Sequence, residues 1–184
     1  MEKIAIFIDG GYLTRLTKDH FNKAKIDFAK LSEKIAQGSK LLRTYYYHCK
    51  PYISPNPSQD EKRWQAGFDS FISSLERLDR FETKLGKLAY RGVNQNGHPI
   101  FVQKRVDVMF AVDLVQLAHT GKIHKAVILA GDSDFVPAVQ AVKQIGVEVL
   151  LYHGPRITTH QELWDTCDER TEIDQNFIDH VIKT

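Results

Sequence analysis

The sequence predicts an α/β fold with a mostly parallel sheet, and three observations lead to it. Lys3–Asp9 (KIAIFID) and Ala126–Ala130 (AVILA) are short, continuous apolar runs, the pattern of strands whose two faces are both covered by helices. Each run stops at glycine and acid together: Asp9 precedes Gly10-Gly11, and Gly131 precedes Asp132 and Asp134. Around these runs, segments of helical period alternate with segments rich in β-favouring residues.

Taken in order, the first run is a buried strand ending at Asp9, and Gly10-Gly11 predict a tight turn. Tyr12–His20 follows as a short helix or structured loop. Asp27 has the character of an N-cap for a helix from Phe28 to about Gln37, with Leu31 and Ile35 on one face and Gly38 closing it. Leu41–Cys49 (LLRTYYYHC) is a strand by composition. Alternation along that strand puts at least one of Tyr45–Tyr47 in the core. Lys50–Ser58, with Pro51, Pro55 and Pro57, is a loop. Glu61–Leu78 carries Trp64, Phe68, Phe71, Ile72, Leu75 and Leu78 at helical spacing. These side chains are assigned to the core, with an interface between copies as the alternative for Trp64, Phe68 and Phe71. Phe81–Tyr90 is a strand or ribbon, and Asn96-Gly97 within Gly92–Pro99 is a strong hairpin signal. Lys104–His119 is the most hydrophobic helix. After the central strand come a helix over Phe135–Gln144 and a last strand over Val147–Tyr152. Pro155–Asp168 begins as a loop and turns helical near Gln161–Trp164, and Ile173–Ile182 forms a terminal helix. The expected organisation is one domain over 1–154, with 155–184 as a helical segment packed on it.

The totals narrow the classes. A chain of 184 residues can bury a sizeable core. A net charge of +2 provides no bulk attraction for nucleic acid, so any basic surface must be local. Cys49 and Cys167 form no CxxC and are expected as reduced thiols. No apolar run reaches the ~20 residues of a membrane helix, and the start enters a strand pattern directly, without a signal peptide. A cytoplasmic protein without a membrane partner is the expectation.

The chemistry is carried by acids. Asp9 ends the first strand, Asp132 and Asp134 follow the central one, and Asp107 lies in the first turn of the hydrophobic helix. Strand ends are where open α/β sheets hold ligands. Alone, Asp9 also suits a turn, Asp132 or Asp134 a helix cap, and Asp107 a helix first turn. Together they suggest carboxylates converging on a divalent cation, Mg²⁺ or Mn²⁺, which prefers oxygen ligands and activates water for phosphodiester hydrolysis. Asp113, six residues after Asp107, faces elsewhere and is assigned a structural role. No G-x-S-x-G or Cys/His signature points to a nucleophilic side chain. Asp9-Gly10-Gly11 also lacks the DxD that a haloacid-dehalogenase-type phosphatase would carry.

The segments IFIDGG, KRVDVMFAVDL and LAGDSDFVPAV resemble the NYN domain family, LabA-like members of the PIN-like nuclease superfamily. The resemblance spans Ile4 to about Tyr152, and GDSDF is its most specific part. It implies a PIN-like three-layer α/β/α sandwich, an acidic Mg²⁺ or Mn²⁺ site, and endoribonuclease activity. Matched motif to motif, the family's metal-site acids fall on Asp9, Asp107, Asp132 and Asp134, and its small hydroxyl residue on Ser133. Where family members commonly carry asparagine, in a DGxN pattern, this chain has Tyr12. The segment WDTCDERTEIDQNF resembles the family's last helix only loosely.

RNA as substrate requires phosphate contacts and, for single strands, stacking surfaces. Lys104 and Arg105, just before Asp107, are the first candidates, followed by Arg15 and Lys18. Lys50, Tyr52 and Arg63 flank the Pro-rich loop, Lys84, Lys87 and Arg91 lie on the ribbon, and His153 and Arg156 follow the last strand. His153 is assigned to a loop rather than to catalysis. The expected function is a metal-dependent endoribonuclease acting on RNA. The alternative is a non-catalytic RNA-binding or regulatory module on the same fold, and self-association into a homo-oligomer is left open.

Overall fold

The computed structural model describes residues 1–97 and 99–183, apart from the side chains of Gln103 and Lys104. Seven strands form one sheet in the order β4-β3-β2-β1-β5-β6-β7. In chain order they are β1 (Lys3–Asp9), β2 (Lys40–Lys50), β3 (Phe81–Val93), β4 (Pro99–Lys104), β5 (Lys125–Leu129), β6 (Glu148–His153) and β7 (Glu169–Glu172). All neighbours are parallel except the antiparallel β3–β4 pair. The helices are α1 (Gly10–His20), α2 (Phe28–Ala36), α3 (Gln59–Glu76), α4 (Val106–His119), α5 (Val136–Gln144), α6 (Gln161–Thr166) and α7 (Gln175–Val181). This is the mostly parallel α/β sandwich of the PIN-like type that the sequence predicts.

Alternation along β1 explains the three layers. Phe7 packs with Phe110 and Leu114 of α4, Val139 of α5 and Leu163 of α6 on one face. Ile4, Ile6 and Ile8 point the other way, against Leu13 and Leu16 of α1, Leu31 of α2, Ile72 of α3 and Phe177 of α7. Both faces are covered, so every residue of β1 after Lys3 is buried, each large side chain contributing about 1.5–3 kcal/mol. For the same reason Tyr46 and Tyr47, on opposite faces of β2, are both buried.

Several local expectations are corrected. Gly10-Gly11 make no turn; they open α1, capped by Asp9, whose side chain accepts the Tyr12 N–H. Gly10 is required by close approach instead, since a Cβ there would lie 2.5 Å from the Tyr46 ring. Pro99–Lys104 is a strand, the second arm of the Asn96-Gly97 hairpin, so the hydrophobic helix begins at Val106 rather than Lys104. Trp64 is 70 % exposed and does not join the core, whereas Phe68 and Phe71 pack against it. The stretch after His153 is not purely helical: β7 extends the sheet, with Leu150↔Glu169 to His153↔Glu172 in register with β6. Ile173, Phe177, Ile178 and Val181 complete the α2 side of the core. Among the described residues no helix is long and apolar enough to cross a membrane.

Candidate active site

β1 and β5 are adjacent and parallel, with Ile8 beside Leu129. Their carboxyl ends therefore bring Asp9 and the Gly131–Asp134 turn to one edge of the sheet. Asp9 is buried and accepts the backbone N–H of Tyr12 at 3.0 Å. Burial pushes its carboxyl above the usual range; backbone donors and the Arg15 guanidinium oppose that, and the negative charge of Asp132 adds to it. Asp132 is exposed and accepts the Asp134 N–H at 3.1 Å, capping the short 3-10 turn Ser133–Phe135. That cap falls on Asp132 and leaves the exposed Asp134 carboxylate uncommitted to one, with Ser133 half-buried between them. Asp107 lies in the first turn of α4. Its carboxyl is also pushed up, first by partial desolvation and then by the charges of Asp9, Asp132 and Asp134. Asp107 thus stands in the field of the other three acids, and Asp9 in that of Asp132.

The donor set suits a hard divalent cation held partly through water. Among the described residues, no three His, Cys, Asp or Glu side chains form a preformed cage. Mg²⁺ does not demand one, since it keeps several waters and takes one or two carboxylates directly.

Glycine and tyrosine hold the turn in place. At Gly131 a Cβ would meet the Tyr12 ring at 2.5 Å and the Thr158 carbonyl at 2.6 Å. Tyr12 is 4 % exposed, and its phenol oxygen lies 2.8 Å from Thr158 Oγ1 and 3.1 Å from Thr159 Oγ1 and accepts the Gly154 N–H at 2.9 Å. Tyr12 therefore ties α1 to the loop after β6 and supports Gly131 from below. Beside Asp132 opens a cleft of about 270 Å³, walled by Arg15, His20, Thr158 and His160. Thr158, Thr159, His20 and His160 carry no local sequence signal for this position; they are brought there by contacts spanning most of the chain.

The other candidates divide clearly. Arg105 is exposed and holds a left-handed φ of 77° at the start of α4, turning the chain from β4 toward Asp107. The Lys104 side chain lies outside the described residues. Lys84 is engaged by Glu82 at 2.8 Å and Asp113 at 3.8 Å, and Asp113 accepts the Tyr47 hydroxyl at 3.0 Å, which gives it a structural role. Arg156 donates to Thr159 O and Gln161 and lies over the Trp164 ring. His153 is not a loop residue: it ends β6, buried, with Nδ1 2.6 Å from Gly154 O.

The sequence model of one family, the NYN domain, matches residues 3–174. The fold is similar to the crystal structure of a protein of unknown function from Vibrio parahaemolyticus RIMD 2210633, with a TM-score of 0.66 and 22 % identity over 99 % of this chain and 96 % of that one. At that identity the likeness speaks for the fold alone. No functionally curated protein matches the chain.

Proposed function

Since the chain belongs to the NYN domain family, within the PIN-like nuclease superfamily, we propose that it is a metal-dependent endoribonuclease acting through Asp9, Asp107, Asp132 and Asp134. The observation that supports this most is the placing of Asp9 and the Asp132–Asp134 turn at the adjacent carboxyl ends of β1 and β5, close enough to Asp107 that its carboxyl is pushed up first by desolvation and then by their charges. Carboxylates gathered without matching cations destabilise a fold, and a divalent cation removes that cost. Asp9 is fixed by the Tyr12 N–H and Asp132 by the Asp134 N–H, so both are oriented before any ligand arrives. Bound there directly or through water, Mg²⁺ or Mn²⁺ supplies an activated water and charge neutralisation at the phosphate. Arg15, in the cleft beside Asp132, and Arg105, before Asp107, are set to contact phosphates of the substrate, with Ser133 held between the two acids.

One observation favours a second reading, an RNA-binding module without catalysis: Tyr12 stands where family members commonly carry asparagine, and its hydroxyl is committed to Thr158, Thr159 and Gly154. The two readings separate in one assay. Labelled RNAs, single-stranded and hairpin, are incubated with the protein in Mn²⁺, Mg²⁺ or EDTA beside an Asp132→Asn/Asp134→Asn variant. Cleavage that needs metal and is lost in the variant supports the nuclease. Cleavage persisting in the variant refutes the assignment of the site. Absence of both cleavage and metal-dependent thermal stabilisation favours the binding module.

A further inference from the structure

The β3–β4 hairpin carries chemistry that the acids do not use. Asp9 is in register with Tyr47, and Tyr47 with Lys84. From that level β3 continues nine residues to Val93, so the hairpin projects roughly 30 Å beyond the acidic edge at ~3.3 Å per residue. Its base is the pair Lys87↔Lys104, after which Arg105 turns the chain into α4 and Asp107.

Leu88 packs toward the α4 side of the sheet, and Tyr90, two residues on, shares that face. Tyr90 is paired across the hairpin with Phe101. Tyr52, from the Pro-rich loop, completes a cluster with ring centroids 5.2 Å from Phe101 and 5.9 Å from Tyr90. Tyr90 is 47 % and Phe101 40 % exposed. Clustered aromatic rings left open to water mark a binding surface. The surrounding charge indicates what binds there. From Lys84 to Val106 the chain carries Lys84, Lys87, Arg91, Lys104 and Arg105 and no acid, in a molecule of net charge only +2. Lys87 and Arg91 are exposed, and neither joins an ion pair among the described residues. Aromatic faces interleaved with cations are what a single strand requires: bases stack and phosphates pair. A duplex would keep its base faces hidden.

We infer that Tyr52, Tyr90 and Phe101 on this basic arm form a stacking platform that holds single-stranded RNA and leads it to the acids at the base of the arm. The choice of RNA rests on the nuclease reading above. Phe101 is three residues from the hairpin base, about 10 Å along the strand, so a strand stacked there continues toward Asp107 past Arg105.

The test reads binding apart from cleavage. Anisotropy of short labelled single-stranded and duplex RNA is measured in EDTA with wild type, Tyr90→Ala/Phe101→Ala, Tyr90→Leu/Phe101→Leu and Lys87→Ala/Arg91→Ala. The wild type binds the single strand more tightly than the duplex. Both aromatic variants lose at least about tenfold, since one stacked base is worth roughly that much; the leucine pair keeps the apolar bulk and so isolates the stacking. The Lys87/Arg91 variant flattens the log–log salt dependence by about 1.4, at ~0.7 per lost phosphate contact on a single strand. Unchanged melting temperatures show that the variants fold. Equal binding by the aromatic variants and wild type, or equal affinity for duplex, overturns the platform. So does a wild-type dimer that becomes monomeric in the variants without loss of RNA binding, which would assign the surface to a second copy. Cleavage in Mn²⁺ by a platform variant that still binds RNA rejects the platform and leaves the nuclease standing. Platform-dependent binding without any cleavage does the reverse.

Discussion

Replacing Tyr12 by phenylalanine removes one oxygen atom and tests whether this residue serves the fold or the substrate. Thr158 Oγ1 donates to the Pro155 carbonyl at 2.8 Å, so its contact with Tyr12 at 2.8 Å must be one it accepts. The phenol therefore donates to Thr158 and accepts from the Gly154 N–H at 2.9 Å and the Thr159 hydroxyl at 3.1 Å. In Tyr12→Phe the ring still packs under Gly131, so no cavity forms. The buried Gly154 N–H and the buried Thr159 hydroxyl lose their partner. A buried donor left unsatisfied costs about 1–3 kcal/mol; with the hydroxyl included, about 2–3 kcal/mol is expected, which lowers the melting temperature by about 4–12 °C in a chain of this size. Because the loop after β6 is tied to Gly131 through the His160 N–H, which donates to Gly131 O at 2.9 Å, the Asp132 turn also loosens, and stabilisation by Mn²⁺ falls with it. Thermal unfolding with and without Mn²⁺ and RNA anisotropy in EDTA are the assays. An unchanged melting temperature combined with lost RNA binding would refute the reasoning and make Tyr12 a substrate contact.

Asp9→Asn separates stability from function at the acids. The folded carboxyl of Asp9 titrates above its ordinary 3.8, so the ionised native state is penalised, and stability rises as pH falls from above the folded value toward 3.8. Asparagine keeps the N-cap to Tyr12 without the charge. In EDTA the variant should therefore melt above wild type at neutral pH, the gap should close as the pH approaches 4, and cleavage should be lost; a variant less stable than wild type at neutral pH refutes the burial argument. Gly131→Ala places a Cβ 2.5 Å from the Tyr12 ring and 2.6 Å from the Thr158 carbonyl, a backbone atom with little freedom to move. A cost of about 1–3 kcal/mol follows, read as a lower melting temperature, and wild-type stability in this variant would refute the close packing of Tyr12 and Thr158 on Gly131.

What the sequence made legible was whatever is encoded locally. The buried strands announced themselves because a strand covered on both faces has no polar positions, and the Asn96-Gly97 hairpin because its turn demands left-handed backbone; Gly97 has φ 76°. β4 and β7 were missed for different reasons. β4 opens on a proline and holds only three apolar residues, Ile100–Val102, before the polar Gln103-Lys104-Arg105, too short a run to announce a strand without its pairing to β3. β7 (ERTE) is a wet edge with no residue wholly buried, and only pairing with β6 makes it a strand. The role of Tyr12 had no local signal, because its partners lie 146 and 147 residues away.

The acids were legible as a set because a hydrophobic strand must end somewhere, and ending it in carboxylates is costly unless they have a second use. Asp9 and Asp132 have a modest one, each capping the helical turn that follows, worth about 1 kcal/mol. Serine or threonine would cap without the charge. Capping and the helix dipole suffice for an acid at the exposed Asp132, but not at Asp9, where burial raises the carboxyl pKa in spite of the cap. Asp107 makes the point without the cap. It accompanies α4 after Arg105, which makes no side-chain capping bond, and it gains only a helix-dipole interaction of about 0.3–1 kcal/mol, against repulsion from three other acids. Stability alone does not account for that charge, whereas the cation proposed above, held by Asp107 with Asp9, Asp132 and Asp134, would give it a use.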